Sequence, residues 1–219
     1  MNRATAELDV AAIKADFPLL QREIDGRPIT FLDSAASSQK PQAVLDAMDT
    51  YYRTMHANVH RGAYRLATEA TDAMESARAN VADFVGAPHA HEIIFTKNAT
   101  EAMNLLAQSW GRANLGPGDA VVLTEMEHHA NIVPWHMLAE SIGIEVRWIP
   151  VTIDGQLDLA DLDRLLDGAK LVSVTAMSNV LGTLTPVARL AEAAHAVGAR
   201  IFVDATQHVP HLPTDAMAM

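Results

Sequence analysis

Cysteine is absent from the 219-residue sequence, so disulfides, thiolate metal sites and cysteine nucleophiles are excluded within it. Basic residues are also few, because 16 lysines and arginines stand against 27 aspartates and glutamates and leave a net charge of −11. A field of this sign repels phosphate backbones and anionic lipid heads. Nucleic acids and membrane surfaces are therefore not expected partners.

The sequence also lacks a long, uninterrupted apolar run. Its first 17 residues carry three acidic side chains and do not contain the apolar stretch that a signal peptide needs. The longest charge-free run, Leu171–Ala188, is broken by polar residues, Gly182 and Pro186, and is typical of a strand and loop. With 49% hydrophobic and 20% charged residues, the composition indicates a globular protein, for which we expect a cytoplasmic location.

From Glu92 onward, short β-rich runs alternate with helical patterns, and this alternation predicts an α/β fold with a mostly parallel sheet. The predicted strands are Glu92–Thr96, Ala120–Thr124, Glu145–Pro150, Lys170–Thr175 and Arg200–Asp204. The predicted helices are Ala6–Ala15, Pro41–Met55, Ala67–Val85, Thr100–Leu115, Asn131–Ile142, Leu157–Leu166 and Val187–Val197. A turn is expected at Asp25–Pro28.

Four polar clusters follow the predicted strands, at residues 97–101, 127–131, 178–182 and 204–208. Ligands of open α/β sheets bind at the carboxyl edge of the strands, so we expect these clusters to lie close together. In the first, Asn98 and Glu101 have the spacing of a capping box with Asn in place of Ser or Thr. Free backbone N–H groups and the hydroxyl of Thr100 would then face an anion, although an ordinary capped helix explains the same residues.

The later clusters contain titratable side chains with several interpretations. His128 and His129, with Glu127, Asp204 and His208, have the types of a zinc site, but no HExxH motif occurs. As alternatives to a zinc site, one of these two histidines is a hydrogen-bonded loop residue and the other places its flat ring against a cofactor. Asp204 ends an apolar strand, so it requires a cation or several donors unless it caps the next helix. Neither GxGxxG nor a P-loop motif is present.

Five runs stand out as specific motifs: Phe31–Ala36, Asn58–Gly62, Glu127–Trp135, Ser178–Gly182 and Val203–Gln207. Together, in order from about Phe17 to the last residue, they resemble the SufS-type (group II) cysteine desulfurases of the class V aminotransferase family. The resemblance implies a homodimeric, pyridoxal 5'-phosphate (PLP)-dependent transferase of fold type I, with helices on both faces of the sheet. It also implies L-cysteine as substrate, which becomes L-alanine while sulfur passes to a thiol of a sulfur-acceptor protein for iron–sulfur cluster assembly.

The resemblance assigns cofactor contacts to the residues that match the family. Thr100 is similar to the phosphate-binding threonine, and His128 to the histidine that stacks on the pyridine ring and is the catalytic candidate. Asp204 is similar to the aspartate that pairs with the pyridine nitrogen, which keeps the ring an electron sink. Gln207 and Asn179 resemble residues that reach the phenolic oxygen, and Asn179 also the substrate.

Two residues extend or limit this comparison. His60 resembles a histidine near the cofactor from the opposite protomer, and Ala99 replaces the hydroxyl residue that usually precedes the phosphate-binding threonine. No metal ligand is assigned.

The family's Schiff-base lysine follows the ring-pairing aspartate by some two dozen residues, and its catalytic cysteine and substrate-carboxylate arginine lie further on. This chain has lysine only at positions 14, 40, 97 and 170, and none matches. We therefore expect the N-terminal part of a cysteine desulfurase, truncated and inactive alone. Residues 1–30 would be an N-terminal segment of the small domain, and residues 31–219 an incomplete PLP-binding large domain.

Other functions fit the same residues. A selenocysteine lyase or another class V aminotransferase-like enzyme would share the fold, and a non-catalytic PLP-binding or dimerisation module would share the site. A metallohydrolase using His128 and His129 is a further alternative. By its topology the family also implies an unpaired apolar edge at Arg200–Asp204 and no partner for Glu92–Thr96, from which we expect self-association that the missing half would relieve.

Overall fold

The computed structural model describes residues 8–219 as two compact units, one ending at Ala77 and the other beginning at Arg78. Within the described residues, no helix is both long and apolar enough to cross a lipid bilayer. The domain division predicted at residue 30 is not tested by these two units and stays a prediction.

The first unit consists of short elements and one long helix. Its elements are α1 (Val10–Ala15), a 3₁₀ helix (Pro18–Gln21), the antiparallel pair β1 (Glu23–Ile24) and β2 (Arg27–Pro28), α2 (Gln42–Thr54) and the first part of α3 (Arg65–Val85). α1 begins later than predicted because Asp9 caps it, with its Oδ1 accepting from the N–H of Ala12 at 2.9 Å. The first two residues of the predicted helix, Ala6 and Glu7, lie outside the described residues.

The turn between β1 and β2 is tighter than the predicted Asp25–Pro28. Asp25 and Gly26 both have positive φ, at 52° and 72°, as a two-residue hairpin turn of the primed type requires. Arg27 and Pro28 consequently belong to β2.

The second unit is organised around a parallel sheet of four strands. They are β3 (Ala120–Thr124), β4 (Glu145–Ile149), β5 (Ala169–Thr175) and β6 (Arg200–Asp204), in the spatial order β4-β3-β5-β6. Their bounds differ from the predicted ones by at most one residue, so the sheet expected from the apolar runs is confirmed.

Helices cover both faces of this sheet, because alternate residues of each strand point to opposite sides. On β3, Ala120 and Val122 belong to one apolar core, and Val121 and Leu123 to the other. The first core is completed mainly by α7 (Leu162–Leu166) and α8 (Val187–Ala196), and the second mainly by α6 (Val133–Ile142) and the helical segment before β3. The central strands β3 and β5 are therefore buried on both sides, as parallel sheets require, whereas β4 and β6 at the two edges are mostly half-buried.

The helical segment before β3 runs without a gap from Ala99 to Asn114, close to the predicted helix over Thr100–Leu115, but it contains a π-helical turn that was not predicted. It consists of α4 (Ala99–Leu106), a π-helical turn (Ala107–Gly111) and α5 (Arg112–Asn114). Gly111 lies directly against α6, where an added Cβ would approach Leu138 Cδ1 to 2.8 Å.

The predicted helix over Leu157–Leu166 begins only at Leu162. Leu157 forms an isolated antiparallel bridge with Val151, and the N–H of Asp158 donates to the carbonyl of Pro150 at 2.9 Å. The backbone of residues 157 and 158 is thus bonded to the segment directly after β4, and the helix begins only beyond these contacts.

The predicted strand Glu92–Thr96 is wrong. Ala90–Glu92 forms a 3₁₀ turn, and residues 93–96 have no ladder partner among the described strands. The carbonyl of Ile93 accepts instead from the Arg78 guanidinium at 2.5 Å, and that guanidinium lies 4.9 Å from the centre of the Phe95 ring. A β-rich sequence becomes a strand only where a neighbour supplies the hydrogen bonds.

We expect the purified chain to self-associate, because β6 is an edge of the sheet and Ile201, Phe202 and Val203 remain half-buried there. Size-exclusion chromatography with light scattering should show a mass that grows with concentration. Val203→Lys, which places a charge on the edge strand at a position outside both apolar cores, should reduce this growth, whereas Ile153→Lys at a fully exposed turn should not. The mass of a single chain at every concentration would contradict this expectation.

Candidate active site

The polar clusters after β3, β5 and β6 lie at one edge of the sheet, because the three strands are parallel and end there. Just before the cluster at residues 178–182, the N–H of Ala176 donates to the carbonyl of Asp204 at 2.8 Å, which holds the start of that loop beside the last cluster. The cluster at the start of α4 joins them through packing of α4 against the 3₁₀ turn His129–Asn131. The expected gathering of four clusters is therefore observed.

Thr100 is exposed in the first turn of α4. Asn98 caps this helix as predicted, with its Oδ1 accepting from the N–H of Glu101 at 2.9 Å. The Glu101 carboxylate returns the bond to the N–H of Lys97 at 2.5 Å, one residue earlier than in the usual capping box. The cap leaves the hydroxyl of Thr100 at a helix N-terminus, where an anion is favoured.

His128 is exposed and acts as the cap of the 3₁₀ turn that follows it. Its Nδ1 accepts from the N–H of Ala130 at 3.1 Å, so the neutral imidazole carries its proton on Nε2. The ring of His129 is nearly perpendicular to it, at 87° and 6.2 Å between centres. Of the two adjacent histidines, His128 is thus the one whose ring orientation is fixed by the backbone.

A buried network beneath His128 is the feature that the sequence analysis missed. The Oε1 atom of Glu127 accepts from the hydroxyl of Thr124 at 2.6 Å and from the N–H of Thr175 at 2.8 Å. Its Oε2 atom accepts from the side-chain amide of Asn131 at 2.7 Å. One carboxylate therefore joins the ends of β3 and β5 to the turn that carries His128.

Burial raises the pKa of the Glu127 carboxyl above its ordinary value of 4.5, and the nearby charge of Asp204 adds to this effect. The hydrogen bonds from Thr124, Asn131 and Thr175 act in the opposite direction, because they stabilise the charged form. The desolvation of the buried carboxylate outweighs them.

Asp204 is buried at the end of β6, and the donors it requires come from the next turn. Its Oδ1 accepts from both the N–H of Thr206, at 3.0 Å, and the hydroxyl of Thr206, at 2.5 Å. Oδ1 therefore caps a turn and not the helix that the capping interpretation expected, because residues 205–219 contain no helix. Gln207 is half-buried in the same turn, and the Nδ1 of His208 lies 3.1 Å from the Thr214 hydroxyl.

Asn179 is exposed in a loop whose shape Ser178 determines. The buried Oγ of Ser178 accepts from the N–H groups of Val180 and Leu181, at 3.3 and 3.1 Å. Gly182, with φ of 71°, closes the loop by donating its N–H to the carbonyl of Ser178 at 3.0 Å.

A surface concavity of about 530 Å³ lies beside this loop. It is lined by Val151, Thr152, Ile153, Asp154, Gly155, Leu181 and Thr183. None of the residues that the sequence analysis assigned to a cofactor lines it, so it is a different feature from the candidate site.

His60 lies in the first unit, in a left-handed conformation with φ of 66° that is uncommon for histidine. Two contacts within that unit hold it. Its N–H donates to the hydroxyl of Thr71 at 2.8 Å, and its Nε2 lies 3.4 Å from a carboxylate oxygen of Glu75.

The arrangement gives no support to a zinc site at His128 and His129. In the part of the chain that the structure describes, no three or more histidine, aspartate or glutamate side chains are placed to hold one metal ion. Glu127, which the metal hypothesis required, is turned into the buried network instead.

The family model for class-V aminotransferases matches residues 30–219 of this chain. The cysteine desulfurase of Dickeya dadantii (strain 3937) is 49% identical over 220 aligned residues, which cover 100% of this chain and 53% of that protein. The cysteine desulfurase of Pectobacterium atrosepticum is 51% identical over 207 residues, covering 94% of this chain and 51% of its own length. The chain thus spans about half the length of the curated relatives it matches.

Solved structures of cysteine desulfurases agree with these relatives. The apo cysteine desulfurase of Thermococcus onnurineus NA1 superposes with a TM-score of 0.89 at 38% identity, over 97% of this chain and 51% of that one. CsdA of Escherichia coli, solved in an S-sulfonic acid form, has a TM-score of 0.84 at 35% identity, over 97% and 52%.

The chain belongs to the class-V aminotransferase family. The expected fold class, an α/β fold of the PLP-dependent transferases with a parallel sheet between helices, is confirmed.

The contribution of Glu127 to stability should depend on pH. Because its pKa is raised in the folded state, that contribution is complete below about pH 4.5 and is lost as the pH rises through the folded pKa. The free energy of unfolding lost in Glu127→Gln should therefore be larger at about pH 5 than at about pH 8 in urea titrations. Glu140→Gln, at an exposed site on α6, should show no such trend. An equal loss at both pH values would contradict the assignment.

Proposed function

We propose that this chain forms the N-terminal part of a PLP-dependent cysteine desulfurase of the SufS type. The complete enzyme would convert L-cysteine to L-alanine and pass the sulfur to a protein thiol on a sulfur-acceptor protein for iron–sulfur cluster assembly. One observation carries the proposal: buried hydrogen bonds hold the turn of His128 at the carboxyl ends of the strands, where Asp204 also lies. The cysteine desulfurases among the relatives, of which the chain spans about half, support the reaction class.

The donor set at this edge fits PLP. The helix N-terminus with the hydroxyl of Thr100 suits a phosphate, and the oriented imidazole of His128 offers a flat face to a ring. The Asp204 carboxylate suits a protonated ring nitrogen, since a positive partner would offset the cost of burying its charge. Gln207 and Asn179 would donate to the phenolic oxygen, and His60 would approach from the opposite protomer of a homodimer.

When bound, PLP supplies an electron sink for bonds made and broken next to an amino group. The residues of this chain would hold and polarise it. Asp204 would keep the proton on the ring nitrogen, and His128 would exclude water from one ring face and hold a proton on Nε2. The sequence contains no cysteine to receive sulfur, and its four lysines do not match the position of the cofactor-attaching lysine. The chain alone should therefore bind PLP reversibly without turnover.

A non-catalytic PLP-binding or dimerisation module is the second candidate, favoured by the same absence of cysteine. A selenocysteine lyase would use the same contacts, because none of the contacts named above distinguishes sulfur from selenium. The cytoplasm is the location we propose for either role.

PLP binding to the 219-residue chain tests the site directly. Titration followed by absorbance and fluorescence should give weak, reversible binding that Asp204→Asn reduces by about tenfold, corresponding to one charge-assisted contact of about 1.4 kcal/mol. The amide oxygen that this substitution leaves can still accept from Thr206, so the fold should be kept. Asp163→Asn, at an exposed position on α7, should bind PLP as the unsubstituted 219-residue chain (the parent chain) does. Equal binding by both variants would show that the site is misassigned.

Activity is tested with a chimera. The parent chain should produce no alanine from L-cysteine, whereas a fusion of this chain to the second half of the Dickeya dadantii relative should produce it. Asp204→Asn in the fusion should reduce the rate by at least the factor seen in binding. Alanine production by the 219-residue chain itself, undiminished by Asp204→Asn, would contradict the proposal.

A further inference from the structure

We propose that Glu127 is a positioning residue for His128: its carboxylate fixes the turn that holds the imidazole with Nδ1 as acceptor, leaving Nε2–H for a ligand. This inference rests on the proposed function only for the identity of the ligand, since the position of the ring is a property of the chain. The orientation of the ring depends on the direction of each hydrogen bond in the buried network.

At one end of the buried network, Trp135 fixes the direction of the hydrogen bonds. An indole N–H can only donate, so the atom of Asn131 that lies 3.2 Å from it must be the carbonyl oxygen Oδ1. The same oxygen accepts from the hydroxyl of Ser173 at 2.6 Å. The amide nitrogen of Asn131 consequently points to Glu127, and Asn131 cannot flip without placing its NH₂ group against the indole N–H of Trp135. Trp135, Asn131 and Ser173 are all fully buried, so water does not relieve such a conflict.

At the other end of the network, backbone N–H groups fix the direction of the hydrogen bonds. The N–H of Thr175 can only donate, and it points to Oε1 of Glu127. The N–H of Met126 donates to the hydroxyl of Thr124 at 3.2 Å, which directs that hydroxyl's proton to the same Oε1. Donors therefore approach Glu127 at both oxygens, and only a side chain that accepts at both positions satisfies the site.

Glutamine cannot replace Glu127, although it has the same shape. In one amide orientation its NH₂ group opposes the amide of Asn131, and in the other it opposes the N–H of Thr175. Exchanging the two residues removes the conflict, because in Glu127→Gln/Asn131→Asp the new amide donates to the new carboxylate. Aspartate at position 131 still accepts from Trp135 and Ser173.

The network reaches His128 through Asn131. The backbone N–H of Asn131 donates to the carbonyl of His128 at 2.8 Å, while the side chain of Asn131 is held by Glu127. Between them, Ala130 donates its N–H to Nδ1 of His128. The turn of residues 128–131 is thus closed at both the backbone and the imidazole, and the Glu127 carboxylate ties this turn to β5.

The test uses the 219-residue chain without added ligand. Long-range ¹H–¹⁵N NMR at alkaline pH, where an imidazole is neutral, reports which nitrogen of His128 carries the proton, with the signal assigned by its loss in His128→Ala. The parent chain should show an acceptor Nδ1 and a protonated Nε2. Glu127→Gln should mix the two tautomers and lower the melting temperature, and Glu127→Gln/Asn131→Asp should restore both. Glu140→Gln is the matched control and should resemble the parent chain.

The outcomes separate positioning from support of the fold. If Glu127→Gln lowers the melting temperature and leaves the His128 signals unchanged, Glu127 is structural only and the proposal is overturned. If Glu127→Gln does not fold, the exchanged pair decides: parent-like signals support the proposal, and damage equal to that of the single variant overturns it. If the His128 signals respond as expected but the parent chain does not bind PLP, positioning by Glu127 is supported and the proposed function is refuted.

Discussion

The ends of β3 and β5 are held together by one buried carboxylate. Parallel strands stop donating to one another where the ladder ends, and the N–H groups beyond that point need other acceptors. Glu127 supplies such an acceptor to the N–H of Thr175 while it also holds Thr124 and Asn131. The loop after β3 is therefore fixed by the sheet, and the orientation of His128 follows from that attachment.

Much of the sheet could be predicted because its signal is local. A strand buried on both faces, such as β3, reads as a continuous apolar run, and both β3 and the half-buried edge strand β6 have the predicted bounds. The run Glu92–Thr96 has the same local character but forms no strand, since pairing depends on neighbours far away in sequence. Ile94 in that run is accordingly 71% exposed. Local propensity thus identified segments able to form strands, and partner availability decided which of them did.

In the candidate site, too, local features could be predicted and contacts between distant residues could not. The positions of Thr100 and Asp204 at helix and strand ends follow from the pattern, and so does the cap at Asn98. The acceptor role of Glu127 does not, because its partner Thr175 is 48 residues away. Two signals could have indicated it. Polar Ser173 and Thr175 interrupt an otherwise apolar strand, and Glu127, Asn131 and Trp135 recur every four residues, a spacing that places side chains on one face.

Two buried acids at one edge carry an electrostatic cost that the described contacts do not fully offset. The charge of Asp204 raises the pKa of Glu127 and so adds to the cost of ionising that carboxyl. The donors to Asp204 come from Thr206 and those to Glu127 from neutral groups, and none of these brings a positive charge. The protein as a whole adds to the negative field, with a net charge of −11. A ligand that places a cationic nitrogen against Asp204 would offset part of this negative field, which is the physical reason for proposing a protonated pyridine ring at this site rather than a neutral or anionic group.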